Sequence, residues 1–252
     1  MAASEKWEER SYYVVKSNPL VQQARFNLTV TEQKLVIYLI SKIRPDATEI
    51  EPVELSFKGF ADICGVQIEG GSYQAYIKQL LMNLRNTARW VRLENGWQAP
   101  FSWIDGTPIV TDYGTVIVQL NKLLTPYLVQ LREQYTQYKM MYILPMQSKY
   151  SVRIYEFLKS YQGLETEIIV PLDALKKLLI AETYDKYKDF RINVLDRAMD
   201  EINQYTDISV TYRPIKKGRK VDKIAFAIEP KADLSATFEE LRTALDHEQE
   251  VQ

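Results

Sequence analysis

The chain has 252 residues, 46% of them hydrophobic, enough for one large core or two ordinary ones, so a globular protein of one or two domains is expected. One cysteine, Cys64, and one histidine, His247, exclude an internal disulfide, a cysteine-based zinc cluster and a metal held by a histidine pair; neither a metal nor a cofactor is expected. The formal charge of −1 conceals an uneven distribution: residues 186–220 carry nine Lys or Arg against five Asp or Glu, whereas 229–252 carry two against seven.

The amino terminus, MAASEKWEER, lacks the charged-then-apolar layout of a secretory signal. No apolar run approaches the roughly 20 residues needed to cross a bilayer, so a cytoplasmic location without membrane contact is expected. In LTVTEQKLVIYLISKI, Thr29 and Glu32 have capping-box spacing, and Leu35, Tyr38, Leu39 and Ile43 recur at helical intervals. VELSF alternates as a short strand, and FKGFADICGV reads as a helix closed by Gly65, with Cys64 as a buried packing thiol. After the pair Gly70–Gly71, Ser72 is placed to cap an amphipathic helix whose stripe uses Tyr73, Ile77, Leu80, Leu81 and Leu84. Two strands follow, RWVRLE and TVIVQL, separated by a long connection in which Trp97 and Trp103 are expected to pack.

The second half repeats this order. SKYSVRIYEFLKSY is a helix, TEIIV a strand, LDALKKLLI a helix, DFRINVLDRAMDEINQY a helix, and DISVTYR with KIAFAIE a hairpin. Corresponding segments are offset by about 115 residues, which marks a domain-sized duplication. The connector NKLLTPYLVQLREQYTQYKMMYILPM is apolar and aromatic and is expected to pack as a helix. The chain therefore divides into 1–135, 136–230 and an acidic tail, 231–252, expected to be disordered.

Helix, strand, helix, helix and hairpin is the element order of a winged helix, so the fold expected is α+β, two tandem winged-helix domains. In such a module the last helix lies in the major groove. On the helix at 189–205, Val194, Leu195, Ala198, Ile202 and Tyr205 share one face, while Asn193, Asp196, Arg197 and Asp200 lie on the other; Arg191 falls on the packing side by angle but can reach phosphate from the first turn. Lys186 and Lys188 precede it, and Arg213, Lys216, Lys217, Arg219 and Lys220 surround the turn at Gly218, where their mutual repulsion would be relieved by a polyanion.

This combination resembles the iteron-binding plasmid replication initiators, which consist of two winged-helix domains. VVKSNPLVQQARFNLTVTEQKLVIYLISKI is similar to the start of that family, and YSVRIYEFLKSY, FRINVLDRAMDEIN and ISVTYRPIKKGRKVDKIAFAI to its second domain. The resemblance implies a protein that binds origin repeats as a monomer, opens the adjacent duplex and works with a host replication initiator and replicative helicase. It also implies a homodimer, formed through the first domain, that represses its own promoter. Carried over, the recognition helix is 189–205 and its wing 212–223; in the first domain the matching helix starts at Ser72, with Gly71 near phosphate and Lys78 and Arg85 supplying charge.

Catalysis is not expected. A tyrosine nickase needs a histidine pair, and EGGSYQAY lacks the lysine of a phosphate-binding loop. Two non-enzymatic alternatives stay open: a stand-alone winged-helix transcription regulator, and a scaffold that uses its winged helices only for protein partners.

Overall fold

The computed structural model describes residues 3–66, 72–87, 89–92, 98–111 and 114–246. Helix α1 (Ala3–Arg10) leads into strand β1 (Tyr13–Ser17) and the short helix α2 (Asn18–Gln23). The expected capping box starts α3 (Val30–Ser41): Glu32 N–H donates to Thr29 Oγ1 at 3.2 Å and Thr29 N–H to Glu32 Oε2 at 2.8 Å. Strand β2 (Val53–Ser56) runs into α4 (Phe57–Cys64), which ends on Gly65 at φ 63, a left-handed position that glycine takes without a Cβ penalty. Cys64 is buried there, as expected.

Helix α5 (Tyr73–Asn86) is followed by β3 (Arg89–Arg92), β4 (Gln98–Phe101), β5 (Ile104–Val110) and β6 (Thr115–Leu120). The long connection between RWVRLE and TVIVQL is therefore itself folded. β3 pairs with β4 in a separate ribbon, and the hairpin partner of β6 is β5. Trp103 lies in the core, its ring 4.5 Å from that of Phe26 between centroids; Trp97 lies outside the described residues.

The connector departs from the expected single helix. It forms α6 (Thr125–Leu128) and then β7 (Tyr135–Lys139), which pairs antiparallel with β1 from Tyr13↔Lys139 to Ser17↔Tyr135. The segment YTQYK alternates exposed and buried residues with period two and satisfies its backbone by pairing with a distant strand, and no local signal reports that partner. Met140, Met141, Tyr142, Ile143, Leu144 and Met146 follow, all buried, and join the two halves into one hydrophobic cluster.

The second half contains α7 (Lys149–Lys159), β8 (Glu167–Pro171), α8 (Leu172–Leu179), α9 (Tyr187–Phe190), a π-helical turn (Arg191–Asp196), α10 (Arg197–Tyr205), β9 (Ile208–Lys217) and β10 (Lys220–Pro230). The two three-stranded sheets have the same antiparallel order, β2-β6-β5 and β8-β10-β9, which gives the duplication a topological basis. α8 ends, like α4, in a left-handed residue, but here it is Ile180 at φ 52, where a β-branched side chain costs about 1–2 kcal/mol.

The tail also departs from expectation. Ser235–Asp246 form helix α11, with Leu241 and Leu245 fully buried. Arg10, itself 1% exposed, donates to Ile63 O, Asp62 O and Leu245 O, so one guanidinium ties the carboxy-terminal ends of α4 and α11 together. The acidic composition of 231–252 conceals an apolar stripe that α1 and α10 cover.

The seam between the modules is polar at its centre. Lys16 of β1 donates to Glu156 Oε1 of α7 at 2.5 Å, Tyr138 of β7 donates to the same oxygen at 2.5 Å, and Arg153 Nη1 lies 3.4 Å from Oε2. Arg153 Nη2 also donates to Val21 O and Ala24 O, and Arg25 Nε to Lys177 O at 2.6 Å, so residues 18–29 wrap onto α7 and α8. Burial alone would raise the Glu156 carboxyl, but the Lys16 and Arg153 charges and the hydrogen bonds from Lys16 and Tyr138 outweigh it and hold the group below its ordinary 4.5.

Glu156→Gln should lower stability by about 3 kcal/mol, because it leaves two buried cations without their counter-charge. Between the lowered folded value and 4.5 the unfolded chain binds more protons, so the Glu156 contribution is complete above 4.5 and is lost as pH falls through the folded value. Urea denaturation across that acid range should show this loss in the parent chain, and the Gln variant should lack that component of the slope.

Candidate nucleic-acid interface

The second module sets a helix and a ribbon in fixed relation. The helical run 187–205 packs Phe190, Val194, Leu195, Ala198, Met199 and Ile202 into the core. Lys186, Lys188, Arg191, Asn193 and Arg197 are exposed. The placement of Arg191 corrects the angular reading: the π turn adds a residue to one helical circuit and swings this side chain out of the packing stripe to lie 3.6 Å from Asp196 Oδ2. Arg197 Nε donates to Glu201 Oε1 at 3.3 Å, and Asn193 Nδ2 to Asp189 O at 2.8 Å.

β8 pairs only with the Lys223–Ala227 stretch of β10. The hairpin therefore runs past the sheet as a two-stranded ribbon whose turn is Gly218–Arg219, with Gly218 at φ 64 and Arg219 on the ordinary side, as in a type II′ hairpin turn. A register shift between Val221 and Lys223 leaves Asp222 unpaired in the ladder and increases the twist of the overhang. Lys216, Lys217, Arg219 and Lys220 are exposed on it and make no ion pair among the described residues. Arg213 belongs lower, inside the three-stranded sheet, where its Nη2 donates to both carboxylate oxygens of Glu167 at 2.9 and 3.1 Å; it is not a tip cation.

Two side-chain clamps that local sequence reasoning did not single out join helix to ribbon. Tyr212 donates to Asp196 Oδ1 at 2.5 Å, and Asn203 exchanges two bonds with the Val210 backbone, Nδ2 to O at 2.9 Å and N–H to Oδ1 at 2.7 Å. Burial and the bond to Asp196 push the Tyr212 hydroxyl above its ordinary value and keep it a donor. Tyr212 carries a readable signal, since it occupies the inward register of Ile208 and Val210 with a polar tip that needs a partner. Asn203 carries none, because its partner is a backbone edge set by the tertiary fold.

Among the residues whose side chains are described, the first module shows no such cluster of cations. Lys78 and Arg85 are exposed on α5, and Ser72 occupies the N-cap position without a side-chain capping bond; Gly71 lies outside the described residues. Its hairpin sequence, Ile104 through Leu120, contains no Lys or Arg, and it exposes Ile109 at 61%, Val110 at 39% and Ile117 at 37%. The sequence-predicted cations thus gather on the second module and not on the first.

No helix among the described residues is long and apolar enough to cross a membrane. Residues 13–159 match the family described as Initiator Replication protein, WH1, and residues 171–228 the family described as Initiator Rep protein, WH2. A replication initiation protein of Escherichia coli is 25% identical over 230 residues, spanning 86% of this chain and 69% of that one. The crystal structure of the Pi initiator protein in complex with iteron DNA superposes with a TM-score of 0.69 at 19% identity, covering 89% of this chain and 99% of that chain, and shares its fold. With tandem winged helices of matching order and both family signatures in sequence, the chain belongs to the initiator replication protein family.

Proposed function

We propose that this protein initiates plasmid replication by binding repeated origin sites, iterons, through its second winged helix. The observation that carries this reading is the ribbon 215–222, which holds four solvent-facing cations beyond the sheet, next to a helix whose outer face is open. Four cations held together against a single acid, Asp222, and without an ion pair among the described residues gain from an array of phosphates, each contact releasing about one condensed counterion. The likeness to an initiator solved with iteron DNA supports the same reading.

In this reading Lys186, Lys188, Arg191 and the tip cations Lys216, Lys217, Arg219 and Lys220 hold phosphates, and Asn193 and Arg197 read base edges after exchanging their intrahelical partners for DNA. Arg213 contributes only if it leaves Glu167. Ser72, Gly71, Lys78 and Arg85 of the first module add accessory contacts. Binding by two modules joined by a packed connector gives the second contact a high effective concentration. Beyond binding, the monomer opens the adjacent duplex and engages a host replication initiator and replicative helicase. A dimer formed through the first module represses the protein's own promoter, and conversion between the two states changes how the modules sit on each other. The apolar outer face of β5 and β6, on an edge strand without cations, suits such a self-contact.

Replacing Lys216, Lys217 and Arg219 by alanine should weaken binding to all duplexes alike and reduce the salt slope by about one per cation removed, whereas Asn193→Ala or Arg197→Ala should shift base preference. If both helix variants keep the parent preference in binding-site selection, the helix is not in the groove. Permanganate probing separates an initiator from a stand-alone regulator: reactive thymines should appear beside the bound repeats, and an unreactive flank would favour the regulator. Ile109→Lys should abolish the dimer in sedimentation while leaving single-repeat binding intact; an unchanged monomer–dimer balance would remove the β5 face from the interface.

A further inference from the structure

The outward face of the recognition helix contains an apolar residue that no packing requirement explains. Ile192 is 45% exposed in a run whose other large apolar side chains are buried. In a regular α-helix, at about 100° per residue, Arg191 would lie in the middle of the packing stripe and Ile192 on its flank. The π turn rotates the segment before it relative to 197–205. Phe190 enters the stripe and becomes fully buried, Arg191 swings out, and Ile192 is left 45% exposed, outside the packing stripe. A π turn forgoes regular hydrogen bonding, and such turns are frequent at functional sites.

The neighbours of Ile192 sharpen the point. Arg191 is held by Asp196, Asn193 by Asp189 O and Arg197 by Glu201, so the polar groups of this face have partners within the helix before any DNA arrives. Ile192 has none to give up. In a major groove the one apolar feature of a base edge is the C5-methyl of thymine, and apolar contact with it distinguishes thymine from cytosine.

We infer that Ile192 is a specificity-determining residue that reads a thymine methyl at one position of the binding site. This rests on the proposed function, in which the helix 187–205 occupies the groove.

The test pairs a protein change with a DNA change. The site preferred by the full-length protein is selected from randomised duplexes, and each thymine in it is replaced in turn by deoxyuridine, which removes only the methyl. One thymine, or two adjacent ones, should lose about three- to fivefold in affinity with the parent protein, the value of roughly one buried methyl-sized group. Ile192→Ala should bind the unmodified site correspondingly more weakly and show no further loss with deoxyuridine there. Because Ile192 is exposed and alanine favours helix, circular dichroism of the variant should match the parent. If every deoxyuridine penalty is the same for parent and variant, the inference is wrong even where Asn193→Ala and Arg197→Ala still shift base preference and the proposed function stands. If those two variants also leave preference unchanged, the helix is outside the groove and both readings fail together.

Discussion

The carboxylate of Glu156 sets the geometry on which the rest of the molecule depends. It lies on the first helix of the second module and accepts from Lys16 of the amino-terminal strand, from Arg153 one turn away and from Tyr138 of the connector strand. Three chain segments far apart in sequence thus meet at one buried anion. Desolvating these charges is costly, and an apolar seam of equal volume would hold the halves together as well or better. What the charges add is position, since each donor must meet its acceptor at hydrogen-bond distance and a seam slipped by one residue would bury unpaired charge. The seam therefore fixes the angle between the modules more than it adds adhesion.

The same economy shapes the second module. Its cations cluster where the hairpin has left the sheet and make no ion pair among the described residues, while Arg213, only a few residues lower on the same strand, is neutralised by Glu167. Tyr212 to Asp196 and Asn203 to Val210 fasten ribbon to helix, so the two proposed DNA-facing surfaces are held as one body. The duplicated first module keeps the strand order but has lost the charge. Its hairpin exposes Ile109, Val110 and Ile117 where the second exposes lysine and arginine. The two modules share a frame and differ in the surface their hairpins expose.

Much of the frame was legible because its signals are local. Thr29 with Glu32, the helical spacing in α3 and the glycine at 65 all act within a few residues of themselves, and each formed as its spacing predicts, although α3 is buried on every side from Glu32 to Ser41. Where the reading differed, the deciding partner was remote. The connector became a strand because β1 offers it an edge, and the tail became a helix because α10 and α1 pack against it, with Leu241 and Leu245 buried and Arg10 held to the Leu245 carbonyl. β3 turned to β4 because the long connection between RWVRLE and TVIVQL carries strands of its own.

The sequence by itself determined the order of elements, the duplication and the cation-rich stretch 186–220, since periodicity, capping and charge are properties of neighbouring residues. Only the tertiary structure decided which of those cations remain solvent-facing, that Arg191 points outward and that Ile192 is left exposed outside the packing stripe. The reason is physical: an ion pair such as Arg213 with Glu167 joins strands that chain order does not make adjacent, and a single π turn shifts the phase of a helix by an amount that its average period does not reveal.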